Sequence, residues 1–189
     1  IINLKKNLNS KKINFVFPEK NLIDTIWKNK PKKPISKAFL LQKKFSGKDT
    51  KTKFAEIRKD MKRDFSNFYF TSSLDSIAWI TNLRGKDLKY SPLNLAYFLL
   101  PLKGKAIVYM DLNKIGKNIF LKLNSIIKFI DIQYIKDDLK RIPKFSKISI
   151  DNKKTPYWFV RFFKFQNLKI KFIEDYVYVR KAIKNQIEI

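Results

Sequence analysis

The 189-residue chain contains neither cysteine nor histidine, and only four glycines. Without cysteine it has no disulfide framework and no thiolate nucleophile. Without histidine it loses the commonest general base and the commonest ligand for catalytic zinc, iron or copper. A hydrolytic or redox site complete within these residues would need carboxylates, lysine, tyrosine or serine alone. Four glycines leave no room for a Gly-rich phosphate cradle, and there is no G-x-S-x-G elbow and no HExxH. The longest apolar run, Leu93 to Leu102, is about ten residues and is broken by Pro101, where a membrane-spanning helix needs about 20.

What the chain has in excess is positive charge. Lysine and arginine total 42 against 16 acidic residues, a formal charge of +26. Two readings stay open. A basic surface is the footprint of a nucleic-acid or anionic-membrane partner. It is also what a genome rich in A and T yields through its Lys, Asn, Ile and Phe codons. Arginine occurs only at Arg58, Arg63, Arg84, Arg141, Arg161 and Arg180, whereas lysine runs from Lys5 to Lys184. Phosphate-reading surfaces favour the arginine fork and gather charge on one face. The even spread of lysine favours codon composition, so no specific nucleic acid and no membrane are expected as partners. Hydrophobic residues at 44% suffice for the core of one domain, or of one domain plus part of another.

Along the chain, Ile1 to Leu8 has the pattern of the end of a basic amphipathic helix, and Ile13 to Phe17 alternates like a strand. Asn21 to Trp27 is a compact apolar segment. Pro31 and Pro34 forbid regular structure in the Lys-rich stretch Asn29 to Lys37, which reads as an inter-domain linker. The clearest helix is Asp49 to Phe65, with Phe54, Ile57, Met61 and Phe65 on one face and Asp49 or Thr50 as N-cap. Phe68 to Thr71 is a strand. Ala96 to Leu102 and Lys105 to Asp111 flank Lys103-Gly104, which predicts an antiparallel hairpin. Ile115 to Lys128 fits a helix best, while Ile130 to Ile135, Lys147 to Asp151 and Leu168 to Ile173 read as strands. Short helices are expected from Asp137 to Ile142, from Thr155 to Phe163 with Pro156 in its first turn, and from Val179 to Ile187. Together these predict an α/β fold, a mixed β-sheet flanked by helices.

The most patterned stretch is Thr71 to Gly85, T-S-S-L-D-S-I-A-W-I-T-N-L-R-G. Ser72 and Asp75 have the spacing of N-terminal caps, Leu74, Ile77 and Ala78 recur at helical spacing, and Gly85 is the expected left-handed stop. Trp79 is expected in the core. Asn82 and Arg84 are two polar residues beside an apolar helix, in a loop that a plain surface role also explains. The neighbours Asp137-Asp138 and Glu174-Asp175 point different ways on a helix or strand, and Asp137 is read as a cap, so neither pair is read as an acid/base or metal site. Tyr157, Trp158, Phe162, Phe163 and Phe165 could stack bases, but their helical spacing favours core packing. No self-contained active site emerges from the residues.

Three segments carry a resemblance. N-L-I-D-T-I-W (Asn21 to Trp27, followed by Lys30-Pro31), S-L-D-S-I-A-W-I-T-N-L-R-G (Ser73 to Gly85) and R-K-A-I-K-N-Q-I-E-I (Arg180 to Ile189) match three motifs of the three-domain Xaa-Pro aminopeptidases in order and spacing. The chain resembles that family over almost its whole length. The resemblance implies the creatinase/prolidase N-terminal fold. Residues 1–46 would be the end of a first such domain plus the linker, 47–180 a second such domain, and 181–189 the start of a connection to a pita-bread catalytic domain. The chain opens at Ile1 without an initiator Met, which suggests a fragment, and the aminopeptidase resemblance implies a reading frame that continues past Ile189.

In that family two divalent metals, as a rule manganese, sit in the catalytic domain on two Asp, one His and two Glu. None of these can be placed here, so the chain is expected to carry no catalytic residue, metal ligand or cofactor of its own. The resemblance implies a non-catalytic portion of a cytoplasmic enzyme that narrows access for short proline-containing peptides. It would contact the catalytic domain of the same polypeptide and a homodimer partner. Asn82, Arg84 and Gly85 are the candidates for substrate access or domain contact, with Arg84 orienting substrate or bracing the contact. One departure is Glu174-Asp175-Tyr176, where relatives carry Asp-Pro before the crossing helix; it leaves the local turn open. A stand-alone binding or dimerisation module of the same fold, ending after Ile189, is the alternative reading, and a basic nucleic-acid binder a third.

Overall fold

The structure, a computed structural model, describes residues 20–184 throughout and scattered positions outside that range. Most of Ile1–Leu8 falls outside the described residues, as do two positions of Ile13–Phe17, whose described residues Ile13, Asn14 and Val16 are not in a strand. The chain divides into two compact units, residues 1–33 and 34–189. In the first, helix α1 (Leu22–Ile26) starts where the Asn21 side chain accepts from the Ile23 N–H, and Lys30 pairs with Asp24 at 2.6 Å.

The second unit opens with β1 (Phe39–Leu40) and α2 (Lys43–Ser46), then α3 (Thr50–Arg63), β2 (Phe68–Thr71), α4 (Leu74–Thr81) and β3 (Leu83–Arg84). The hairpin β4 (Tyr97–Pro101) and β5 (Ala106–Met110) follows, then α5 (Lys117–Leu123), β6 (Ile127–Asp131) and α6 (Ile135–Leu139). The unit closes with β7 (Lys147–Asp151), α7 (Tyr157–Phe165), β8 (Lys169–Ile173) and α8 (Tyr176–Ala182). Six strands form one mixed sheet in the order β6-β5-β4-β2-β7-β8, while β1 and β3 pair separately. The hairpin pairs and β2·β4 are antiparallel; β2·β7, β5·β6 and β7·β8 are parallel.

Alternation along each strand splits the core between the two sheet faces. Tyr69, Phe98, Leu100, Val108 and Met110 face α3, α4, α5 and α8, whose Phe54, Ile57, Met61, Ile77, Ile80, Ile119 and Val177 complete one cluster. Phe70, Leu99, Tyr109, Ile148 and Ile150 face the other way, onto Leu139 of α6 and Phe159, Val160 and Phe163 of α7. Helix α3 buries Phe54, Ile57 and Met61 on its predicted face, with Asp49 as N-cap accepting from the Thr52 N–H. It ends at Arg63, however, and Phe65, predicted on the same face, is exposed in a left-handed turn. Gly104, at φ 92, turns the hairpin as its position required.

Several boundaries differ from the expectation. The helix read through Ile115 to Lys128 ends at Leu123, because residues 127–131 are drawn into parallel pairing with 106–110. The strand expected from Ile130 to Ile135 therefore lies earlier, and residues 132–139 turn into helix instead. Asp137 is not a cap: it lies inside α6 and pairs with Lys140 at 2.8 Å. Helix α7 begins at Tyr157, with Pro156 one position before it. Helix α8 starts at Tyr176 rather than Val179, because Asp175 caps it, and it ends at Ala182; Ile187 lies outside the described residues. Phe162 and Phe163 are buried as expected, but Trp158 and Phe165 face solvent.

Candidate functional site

The Thr71–Gly85 stretch forms a strand, turn and helix, but its caps are not the predicted ones. Residue Ser73, not Ser72, occupies the N-cap position of α4. The Thr71 hydroxyl accepts from the Ser73 N–H at 3.1 Å, and the Ser72 hydroxyl donates to the Lys154 carbonyl. Asp75 accepts from the Ser73 hydroxyl at 2.6 Å and from Lys181 at 2.8 Å. Burial by itself would raise the Asp75 carboxyl, but the Lys181 and Ser73 bonds outweigh it and hold it at about 2.

The helix stops at Asn82, not Gly85. Asn82 takes the left-handed conformation at φ 58 and is buried. Asparagine tolerates that region because its side chain bonds locally. Here its Oδ1 accepts from Lys53 Nζ at 2.6 Å and its Nδ2 donates to the Lys48 carbonyl at 3.0 Å. Lys53 is itself 1% exposed; it also donates to the Trp79 carbonyl and sits 4.4 Å from that ring's centre. Trp79 is thus partly exposed and packed against the core rather than sealed within it.

Arg84 lies in β3 opposite Phe39, and its guanidinium donates to the carbonyls of Ala78 and Leu83. Burial lowers its pKa from the ordinary arginine value. Gly85 serves a close approach, not a left-handed turn: a Cβ there would lie 1.9 Å from Asn94 Oδ1. Asn94 is buried, and neither polar atom of its side chain has a hydrogen-bond partner among the described residues. Each of the three predicted residues is thus occupied by contacts within the unit, Asn82 with Lys53 and Lys48, Arg84 with Ala78 and Leu83, and Gly85 against Asn94.

Two clusters escaped sequence reasoning. Asp87 accepts from Lys114 Nζ at 2.6 Å, from the Leu95 N–H at 2.7 Å and from the Ser36 hydroxyl at 3.0 Å, with both charged side chains buried. Asp175, 2% exposed, accepts from the Tyr69 hydroxyl at 2.6 Å, the Ser76 hydroxyl at 2.8 Å and the Val177 N–H at 2.9 Å, with Thr71 at 3.4 Å. Burial first, and Asp175 second, push the Tyr69 phenol far above its ordinary value. The only available signal was the acidic residue just before an aromatic helix start, a capping pattern.

From Asp175 onward α8 is clamped. The Tyr176 hydroxyl bonds Asp64 at 2.7 Å and Ser149 at 3.1 Å, Arg180 pairs with Asp60 at 2.5 Å, and Lys181 reaches Asp75. Among the described residues no three His, Cys, Asp or Glu side chains come together as a metal site. The Asp87 and Asp175 clusters hold one carboxylate each, already taken up by ammonium, hydroxyl and N–H donors, and so do not fit a metal.

A profile of the creatinase/prolidase N-terminal domain family matches residues 29–188. The chain belongs to that family. A probable Xaa-Pro aminopeptidase P of Sclerotinia sclerotiorum is 37% identical over 107 residues, 56% of this chain and 18% of that protein. One of Pyricularia oryzae is 32% identical over 184 residues, 89% of this chain and 29% of that protein. X-prolyl aminopeptidase of Caenorhabditis elegans, described as a cytosolic enzyme with a di-nuclear active site, superposes with a TM-score of 0.85 at 20% identity. That superposition covers 98% of this chain and 31% of the nematode one, and at this identity it speaks for the fold. The chain spans less than a third of each of these proteins. This creatinase-type chain resembles the N-terminal part of Xaa-Pro aminopeptidases, and it does not cover their catalytic domain.

Proposed function

We propose that the chain is the non-catalytic N-terminal portion of a cytosolic Xaa-Pro aminopeptidase, holding the catalytic domain and the route to its active site in place. The observation that carries this is the 32% identity over 184 residues to a Xaa-Pro aminopeptidase P. The clamp on α8 supports it. A C-terminal helix tied to the sheet through Asp175 and Tyr176, to α3 through Arg180 and to α4 through Lys181 has a fixed axis. The chain then leaves the domain in one direction, and a following domain is held at one angle. In this reading residues 47–180 form the second creatinase-type domain, residues 1–46 end the first, and 181–189 begin the connection onward. A homodimer contact belongs to the same reading. The two divalent metals, manganese by family habit, belong to the catalytic domain. Among the described residues no cluster of His, Cys, Asp or Glu stands in for their ligands.

For the predicted loop, the contacts of Asn82, Arg84 and Gly85 favour a bracing role. Arg84 spends its guanidinium on two carbonyls at the end of α4 and Asn82 on Lys53 and Lys48, so the pair stiffens the loop that would meet the catalytic domain. Arg84→Ala in the protein made from the full reading frame should lower thermal stability, turnover, or both. No change in either would remove Arg84 from the proposal. The purified 189-residue chain should release no N-terminal residue from an Arg-Pro-Pro peptide with manganese added, whereas the full reading frame should. Release by the chain alone, or a reading frame that stops after Ile189, would overturn the assignment.

A further inference from the structure

Sheet polarity gathers one group of side chains that neither the core nor the α8 clamp uses. Strands β2, β7 and β8 run parallel, with Phe68 beside Ile148 and Lys147 beside Lys169. The turns entering these three strands therefore emerge side by side at one end of the sheet. Each presents a phenylalanine to solvent: Phe65 is 82% exposed, Phe145 68% and Phe165 82%. Single exposed apolar residues are ordinary, but a row of three at one rim is a patch. Two of the three also sit in left-handed backbone, at φ 54 for Phe65 and 65 for Phe145. Phe65 follows α3 in a turn closed by the Ser66 N–H on the Met61 carbonyl, a place where glycine usually stands. A bulky residue there costs backbone energy, and an exposed ring recovers none of it from folding. These rings serve something other than the fold.

Their surroundings say what they face. Lys62, Lys144 and Lys164 are exposed and lie next to the rings or within three residues of them, and Lys147 holds its ammonium 6.0 Å from the Phe65 ring. Asp64, the acid beside Phe65, is taken up by Lys171, Arg63 and the Tyr176 hydroxyl. The rim is left aromatic and positive. Lysine is spread evenly along the sequence, yet parallel strand pairing collects this subset at one place.

We infer that Phe65, Phe145 and Phe165, with their flanking lysines, form a peripheral docking rim for an anionic lipid surface. Protruding rings enter the headgroup boundary while the ammonium groups stay among the phosphates. Single-stranded nucleic acid would instead need a positively charged groove that tracks its backbone, and these rings stand on turns at the end of a sheet. The contact is peripheral, since no helix among the described residues is long and apolar enough to cross a membrane.

The test is flotation of the protein from its full reading frame with phosphatidylcholine vesicles, with and without phosphatidylserine. Binding is expected only with phosphatidylserine, and the double variant Phe65→Asn, Phe145→Asn should weaken it about tenfold or more. Asparagine tolerates left-handed backbone, so this variant should melt no lower than the parent, which separates lost docking from lost folding. Three results would overturn the inference. They are no flotation with either vesicle, flotation undiminished in the double variant, and ring-dependent binding to single-stranded RNA without binding to vesicles.

Discussion

Replacing Asp175 with alanine should be among the most damaging single changes in this domain. The carboxylate accepts three close donors at 2.6, 2.8 and 2.9 Å in a site 2% exposed, and two of those donors are hydroxyls on Tyr69 and Ser76. A hydrogen bond to a charged group contributes about 1.5–3 kcal/mol, and a buried donor left unpaired costs about 1–3 kcal/mol. The third donor, the Val177 N–H, loses a helix cap worth about 1 kcal/mol. The bonds share one acceptor and do not add in full, so the expected loss is about 4–5 kcal/mol. In a domain of this size that lowers Tm by roughly 10–20 °C. It also removes a large part of a total stability of about 5–15 kcal/mol. Asp175→Asn keeps the shape and one acceptor oxygen, and should lose only about 1–2 kcal/mol. Urea and thermal unfolding followed by circular dichroism measure both. Tyr69→Phe supplies the decisive control: it should cost about 1 kcal/mol in the parent and almost nothing beside Asp175→Ala, where the hydroxyl has already lost its partner. A loss below about 1 kcal/mol for Asp175→Ala, or strict additivity of the two changes, would refute the reasoning.

Two further outcomes follow from the α4 region. Gly85→Ala puts a methyl 1.9 Å from Asn94 Oδ1 and should destabilise by about 1–3 kcal/mol. Adding Asn94→Ala should restore much of that loss in urea melts, and a double variant no more stable than the single one would show that close approach is not why glycine stands there. The folded Asp75 carboxyl, at about 2, lies below its ordinary 3.8. Its pairing with Lys181 therefore contributes stability above that ordinary value, and the contribution is lost as pH falls toward 2. An NMR titration of the Asp75 carboxyl should show the depression, and Lys181→Ala should move it back up. A carboxyl that titrates the same in both proteins counts against the pair.

Most of the fold was legible because its signals are local. The apolar face of α3 repeats along its own sequence, the Asp49 cap lies next to the helix it starts, and Gly104 carries the positive φ of its own turn. Boundaries failed where a distant strand had a vote. Residues 127 and 128 left the predicted helix, and the strand predicted from Ile130 lies earlier, because β5 offered residues 127–131 five parallel partners. Of the candidate site, the three residues named from sequence lie in one short stretch, 82–85, but their settings were not legible. By its sequence Asn82 reads as part of a surface loop, yet it is buried because Lys53, 29 positions earlier, bonds its oxygen. By its sequence Gly85 reads as a helix stop, yet it is a glycine because Asn94 lies against it. Asp175 looked like a departure in a turn, and it is the acceptor for residues more than a hundred positions earlier, beginning with Tyr69.

The sequence alone settled the α/β class, the helix that organises Thr71 to Gly85, the absence of cysteine and histidine chemistry, and three ordered motifs that point to one family. Each depends on residue types and short spacings, which a linear string preserves. Only the tertiary structure decided which polar residues are interior, which carboxylate fastens α8, and which lysines and phenylalanines share a rim. Those properties depend on pairs far apart in the chain, brought together by strand order and by the need to partner every buried charge.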